Sequence, residues 1–325
     1  MIQIPRGYSL SAYAEMLTNA ERADAYIEAM RQTIEPGAIV LDIGAGPGFF
    51  SMLAAQMGAA RVIAVEPNPS IRLAQRLVRD NNLEDRIVCI EGVSTDLNLA
   101  QKANVIVSDM RSVLPLFSHH LPSIIDARER LLAPNGKLIP RRDVLMAAPV
   151  SNESEHRRIT HPWHENKYGL DLSAGADLES NRWTKVYLEL EHLLAEAKVW
   201  YTLDYEKLSH CEAHGQLEWE IDQPGVVHGI ASWFDAELTS GVGFSNQPGK
   251  PKLIYGQAFF PLPRGIQTNR GDVINCEMHA HWVGGEYIWH WKGEAKSRAG
   301  NLLDSFDQST VARRLRTRVS QSPII

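Results

Sequence analysis

The sequence predicts an α/β chain in two parts: a parallel sheet covered by helices on both faces, then an antiparallel β-barrel. Three observations carry this prediction. Short apolar runs alternate with helical stretches from Ala38 to about Pro140, which is the pattern of successive βαβ units. Beyond Pro140, strand-like segments follow one another directly, separated by turns rich in Gly, Pro, Asn and Asp. A turn with three glycines interrupts the first apolar run, where such a sheet opens toward a ligand.

Taken in order, Ala12 to Thr33 repeats apolar positions at helical spacing and reads as one or two helices leading into the first strand. Strands follow at Ile39–Ile43, Val62–Glu66, Ile87–Glu91, Val105–Ser108 and Leu138–Ile139, with helices over Phe49–Met57, Ile71–Asn81 and Leu121–Leu132. The second part carries strands at Val199–Leu203, Gln216–Ile221, Val226–Phe234, Ala258–Pro261, Val273–Trp282 and Tyr287–Trp291. Its tryptophans imply a core of aromatic and β-branched side chains. The resulting division is 1–33 for the leading helices, 34–142 for the parallel-sheet domain, 143–300 for the barrel and 301–325 for a C-terminal extension. That extension carries Arg313, Arg314, Arg316 and Arg318 on an expected short helix with a solvated face.

With 325 residues, 44% of them apolar, the chain is long enough for two cores. A net charge of -6 argues against binding nucleic acid through a general positive field. The three cysteines, Cys89, Cys211 and Cys276, are too scattered for a disulfide framework or a CxxC metal site and point to a reducing compartment, the cytoplasm. No segment reads as an export signal or a membrane span. His279, His281 and His290 lie on adjacent strands as a conceivable metal trio, but no fourth ligand joins them, so no metal is expected.

The chemistry concentrates at Val40-Leu41-Asp42-Ile43-Gly44-Ala45-Gly46-Pro47-Gly48. Gly44, Gly46 and Gly48 let backbone approach a bound nucleoside where any Cβ would intrude. The G-x-G-x-G spacing, with Asp42 two residues before it, favours S-adenosylmethionine over a nicotinamide dinucleotide and makes the first sheet Rossmann-like. Glu66 ends the second strand beside the turn, followed by Pro67, and its carboxylate can accept from two ribose hydroxyls. Asp42 either contacts the cofactor through water or fixes the turn.

Further segments match one family in order. They are Glu15-Met16-Leu17 with Arg22 and Tyr26; Val40–Glu66; Ala127-Arg128; Leu132–Gly136; Ile139-Pro140; Trp163–Asp171; Trp233-Phe234-Asp235; and Phe244-Ser245 through Pro248 to Gln257. On these residues the chain resembles the protein arginine methyltransferases over most of its length. The resemblance implies a Rossmann-like methyltransferase sheet followed by the barrel. It implies that Arg22 pairs with the methionine carboxylate, that Met16 packs near the sulfonium and that Tyr13 stands where the family often has histidine. Ser94 and Thr95 fall near the adenine-contact position. A homodimer is implied too, with Trp183 to Lys198 as the arm or its dock.

The family's acceptor loop departs here. It carries two glutamates in relatives, whereas Ser108–His120 places Asp109 on the first position and Ser118 on the second, with Arg111 inside the loop. A threonine-histidine-tryptophan segment aligns with Leu253-Ile254-Tyr255, which lacks the histidine. If the acceptor needs a base, Asp109 is the first candidate and His119 or His120 the next, since imidazoles exchange protons near neutral pH. The expectation is therefore methyl transfer to a guanidino, amino or imidazole nitrogen of a small molecule or peptide. The alternatives are a true protein arginine methyltransferase and a catalytically silent scaffold.

Overall fold

The computed structural model describes residues 8–165 and 168–312. Helix α1 (Leu10–Thr18) starts where the Ser9 side chain accepts a hydrogen bond from the Ala12 amide, and α2 (Ala20–Thr33) follows directly. The next elements alternate as expected: β1 (Ile39–Ile43), α3 (Phe49–Gln56), β2 (Arg61–Glu66), α4 (Ser70–Asp80), β3 (Ile87–Glu91), β4 (Ala103–Ser108), α5 (His120–Arg130) and β5 (Leu132–Ile139). Their strands form one parallel sheet in the order β3-β2-β1-β4-β5. Central β1 is buried at Val40, Leu41, Asp42 and Ile43, since helices cover both faces. In this order β1 and β4 are neighbours, and the loops after them open side by side at the carboxyl edge, where open α/β sheets bind ligands.

The second part begins with β6 (Arg142–Val150), followed by α6 (Glu153–His164), α7 (Ser173–Glu179), β7 (Thr184–Val186), β8 (Lys198–Asp204) and β9 (Ala213–Glu220). It ends with β10 (Gly225–Thr239), β11 (Val242–Ser245), β12 (Gln257–Thr268), β13 (Val273–Val283), β14 (Glu286–Lys296) and β15 (Leu302–Ser309). These strands make two antiparallel sheets, ordered β7-β12-β10-β6-β8 with β11 beside β10, and β15-β14-β13-β9. The expected closed barrel is therefore two stacked sheets. Trp219, Trp289 and Trp291 are buried here, with Phe260 of β12 packed obliquely on Trp289 and edge-on to Trp291.

Two expectations about particular segments are corrected. The segment at 301–325 begins with β15, paired along β14, because it offers alternating polar and apolar positions to an open edge; its arginines lie outside the described residues. Trp183 to Lys198 forms β7 and a short 3-10 turn inside the sheet, while the paired helices of this part are α6 and α7. His279 stacks on His281, His290 and His214, with ring centres 5.5, 5.9 and 6.1 Å apart. Among the described residues no three such side chains are arranged to hold a metal ion. No described helix is long and apolar enough to cross a membrane.

Candidate active site

A cavity of about 490 Å³ lies at the carboxyl edge of the parallel sheet, beneath α1 and against the second part. One end is built by the glycine turn. Gly44, Gly46 and Gly48 all have positive φ, at 74°, 52° and 80°, a region costly for residues with a Cβ. A Cβ on Gly46 would stand 2.7 Å from the Tyr13 ring, and one on Gly44 would stand 2.7 Å from the Met110 side chain. The turn thus lies directly under two covering side chains.

Glu66 holds the turn from the side. Its Oε2 accepts from the Gly46 amide at 3.0 Å, and its Oε1 accepts from the Asn68 amide and side chain at 3.0 and 2.6 Å. Tyr13 shares a hydrogen bond with Ser70 at 3.1 Å, which anchors α1 over the cavity. Asp42 accepts from Ser51 at 2.6 Å, and burial pushes its carboxyl up to about 7. Ser94 and Thr95 line the far wall. The Ser94 hydroxyl is buried and makes no hydrogen bond within the chain. Pro67 and Met16 line the cavity as well.

The other end is built around Asp109, whose two oxygens both meet donors from within the chain. Arg22 Nε and Nη2 approach Oδ2 at 2.5 Å each, Tyr255 donates to the same oxygen at 2.6 Å, and Arg111 Nη1 reaches Oδ1 at 3.1 Å. Burial alone would raise this carboxyl, but the two guanidinium charges outweigh it and hold it below the usual carboxylate range. Arg111 in turn is fully buried, forked onto Asp143 at 2.8 and 3.0 Å and ringed by Tyr26, Phe234 and Phe244. Tyr205 donates to Asp143 at 2.5 Å. Its oxygen then accepts from His120 Nε2 at 3.1 Å, leaving His120 Nδ1 buried without a partner. Burial and the nearby Arg111 push the His120 imidazole down to about 3.

These contacts change the expected roles. Asp109 is held as a carboxylate by the Arg22 and Arg111 charges, and its Oδ2 is engaged by Arg22 and Tyr255. His120 stays neutral for the same electrostatic reason. Arg22 lies in the cavity but donates to Asp109, Tyr255 and the Met16 carbonyl. Ser118 lines the cavity with φ of 43° and carries no charge. His119 is half-buried, packs edge-to-face on Trp282 at 5.2 Å between ring centres, and also lines the cavity. Asp143, Tyr205 and Lys185 escaped the sequence reading. They reach the site only through the packing of β6, β7 and the end of β8 against the first sheet, which leaves no local signal.

With this geometry in view, two family models match. The TRM5/TYW2 methyltransferase domain covers residues 15–129 and the arginine methyltransferase oligomerization subdomain covers residues 142–282. A probable protein arginine N-methyltransferase 6 of Arabidopsis thaliana is 29% identical over 257 residues, which is 73% of this chain and 56% of the relative. A probable histone-arginine methyltransferase CARM1 of Oryza sativa subsp. indica is 30% identical over 285 residues, 81% of this chain and 53% of the relative. The chain is similar to the protein arginine methyltransferases in both of its parts.

It spans a little over half the length of these curated relatives. Among solved structures, the Trypanosoma brucei PRMT1 enzyme-prozyme heterotetrameric complex with AdoHcy superposes with a TM-score of 0.84 at 21% identity, covering 93% of this chain and 98% of that one. Arabidopsis thaliana protein arginine methyltransferase 10 gives 0.81 at 23% identity, covering 93% and 97%. At this identity the two structures speak to the fold, which agrees from the parallel sheet through both antiparallel sheets.

Proposed function

We propose that the chain binds S-adenosylmethionine and transfers its methyl group to a nitrogen acceptor. The observation that carries this is the pairing of a Cβ-free turn at Gly44 and Gly46 with the buried Glu66 carboxylate and the unpartnered Ser94 hydroxyl in one cavity. Glu66 would receive the ribose hydroxyls in exchange for some of its present contacts. Ser94 and Thr95 would meet the base, and Tyr13 and Met16 would cover the ligand. Arg22 would offer the cofactor's carboxylate the N–H groups that Asp109 does not occupy. When bound, the cofactor supplies an electrophilic methyl carbon on sulfur. The chain's own part is to align the acceptor and to exclude water, which for well-oriented reactants can lower a barrier by about 7–11 kcal/mol.

The names of the relatives support a peptidyl arginine as the first acceptor to test, ahead of a free small molecule. Isothermal calorimetry with S-adenosylmethionine and adenosylhomocysteine, followed by tritiated transfer to amino acids, arginine peptides and histone-like proteins, tests this reading. Absence of cofactor binding would end it. A second reading, a silent partner within a larger assembly, is favoured by the engagement of Asp109 with Arg22, Arg111 and Tyr255. It expects cofactor binding with no transfer to any component of a lysate. Either reading is compatible with self-association through the second part, where Trp163 and Leu172 on and beside α6 and α7 are exposed; light scattering at two concentrations checks this.

A further inference from the structure

We infer that the acceptor arginine arrives on an acidic peptide, and that two lysines at the cavity rim hold an aspartate or glutamate lying close to that arginine. This rests on the methyl-donor reading and adds to it which acceptor peptides the chain prefers. The rim group is Lys185, Tyr187 and Lys252, brought together where β7 ends and the loop before β12 returns. Lys185 lines the cavity with Ile254 and Tyr255. Tyr187 is 45% exposed, and the Lys185 and Lys252 ammonium groups lie 5.2 and 5.7 Å from its ring centre. The group thus runs from the acceptor end of the cavity out onto the surface.

Surface lysines usually swing freely, but Lys185 is held in place. A Cβ on Gly256, where φ is 59°, would stand 3.0 and 3.1 Å from Cε and Cγ of Lys185, so the glycine leaves the path that the stem follows. The ammonium then donates to the Ile254 carbonyl, and attraction to the Tyr187 ring steadies its charge. Lys252 is placed through its backbone. Its carbonyl accepts from the Asn19 side chain at 3.3 Å, which ties this loop to the junction of α1 and α2. Side chains ordered in advance lose less freedom when a ligand binds.

Charge decides what such a group receives. Among the described residues neither ammonium forms an ion pair. The loop 246–257 adds Lys250 and carries no acid. Glu189, the nearest acid along the chain from Tyr187, turns its carboxylate onto the His192 amide. Deeper in, Arg111 is matched by Asp143 and Arg22 by Asp109. The acceptor end is therefore balanced inside and positive at this rim. Two ammonium groups around one ring repel each other, and a carboxylate between them relieves the repulsion while gaining two charged partners. The arginine of the same peptide then crosses the rim with its own counter-charge beside it.

The test uses the full chain and calorimetry, with and without adenosylhomocysteine, on three peptides that set one arginine between aspartates, glutamines or lysines. The aspartate peptide is expected to bind about 5-fold more tightly than the glutamine peptide, the scale of one or two exposed ion pairs, and the lysine peptide more weakly than either. Raising NaCl to about 0.5 M should bring the three together, since exposed pairs are screened. The Lys185→Gln/Lys252→Gln variant is expected to lose the preference and Lys185→Arg/Lys252→Arg to keep it, with adenosylhomocysteine affinity reporting that each is folded. Equal affinity for the three peptides, tighter binding of the lysine peptide, no binding of any peptide, or a preference that persists in the glutamine variant overturns the inference. Failure of adenosylhomocysteine to bind would instead strike the methyl-donor reading, leaving the peptide ratio to be read by itself.

Discussion

The two ends of the cavity handle their polar groups in opposite ways. At the donor end, groups wait for a ligand: the Ser94 hydroxyl has no partner, and the glycine turn leaves room where Cβ atoms would stand. At the acceptor end, Asp109, Arg111, Asp143 and Tyr205 are tied into one network of ion pairs and hydrogen bonds, with His120 Nδ1 beside it left without a partner. A buried polar network that is closed stabilises and rigidifies; one left open binds. The difference teaches that the donor site is kept for recognition, while part of the acceptor site has become structure.

Removing Arg111 should therefore break the fold more than the chemistry. Arg111→Met strips the counter-charge from Asp143 and one from Asp109, both buried, and loss of one partner from such a pair typically costs about 3–5 kcal/mol. Thermal unfolding should show a large fall in Tm, with the Arg111→Met/Asp143→Asn double variant recovering a good part of it because the orphaned charge is gone. If the single variant unfolds like the parent, the acceptor end is not the structural unit described.

Glu66→Gln probes the opposite end and should show the opposite pattern. Two charge-assisted hydrogen bonds to the ribose become weaker or inverted, so adenosylhomocysteine affinity should fall about 10- to 100-fold by calorimetry, on the order of 1.5–3 kcal/mol. Stability should change less than with Arg111→Met, since the Gly46 and Asn68 donors can still reach a side-chain oxygen. A variant that binds normally would remove Glu66 from the cofactor site.

How much of this was legible before the structure follows the range of the interactions. The glycine turn, Asp42 and Glu66 were readable because they lie at consecutive strand ends, where β1 and β2 pair in register from Ile39 and Arg61 onward. Local pattern also marked α1, α2 and the five parallel strands. The loop sequence showed Asp109, Ser118 and Arg111, yet not that Arg111 turns inward. That depends on Asp143 and Tyr205, which lie 32 residues beyond Arg111 and 62 beyond Asp143 and meet it only when β6 and β8 pack on the first sheet. Helices α6 and α7 were missed because their run is polar on most faces. Sheet closure is decided by pairing between distant edges, about which alternation within a strand is silent.

His120 gives the acceptor end an acid-sensitive element of smaller size. Its folded pKa, about 3, lies below the ordinary 6.5, so its contribution is present above pH 6.5 and is lost as pH falls toward 3, at up to about 1.4 kcal/mol per pH unit. Between pH 6.5 and 5.5 the parent should lose more unfolding free energy than His120→Gln, in urea titrations at each pH. Equal losses would mean that the imidazole charges in place.

Asp42 should give the smallest effect and the clearest contrast between the ends. Its folded pKa is raised from 3.8 to about 7 by burial, against the pull of the Ser51 hydrogen bond. A raised carboxyl has its full contribution to stability below the unfolded pKa and loses it as pH climbs from about 4 through 7, because the unfolded chain ionises first. Asp42→Asn keeps an acceptor for Ser51 and removes that loss. The variant should match the parent at pH 4 and exceed it at pH 7.5 by about 1 kcal/mol, a discount on the full shift for relaxation around the site. Adenosylhomocysteine should bind it more weakly. A stabilised but weaker-binding variant is what a group retained for recognition produces, whereas the acceptor-end substitutions destabilise without needing any ligand. If Asp42→Asn is less stable than the parent at pH 7.5, the carboxylate fixes the turn and the two ends are alike after all.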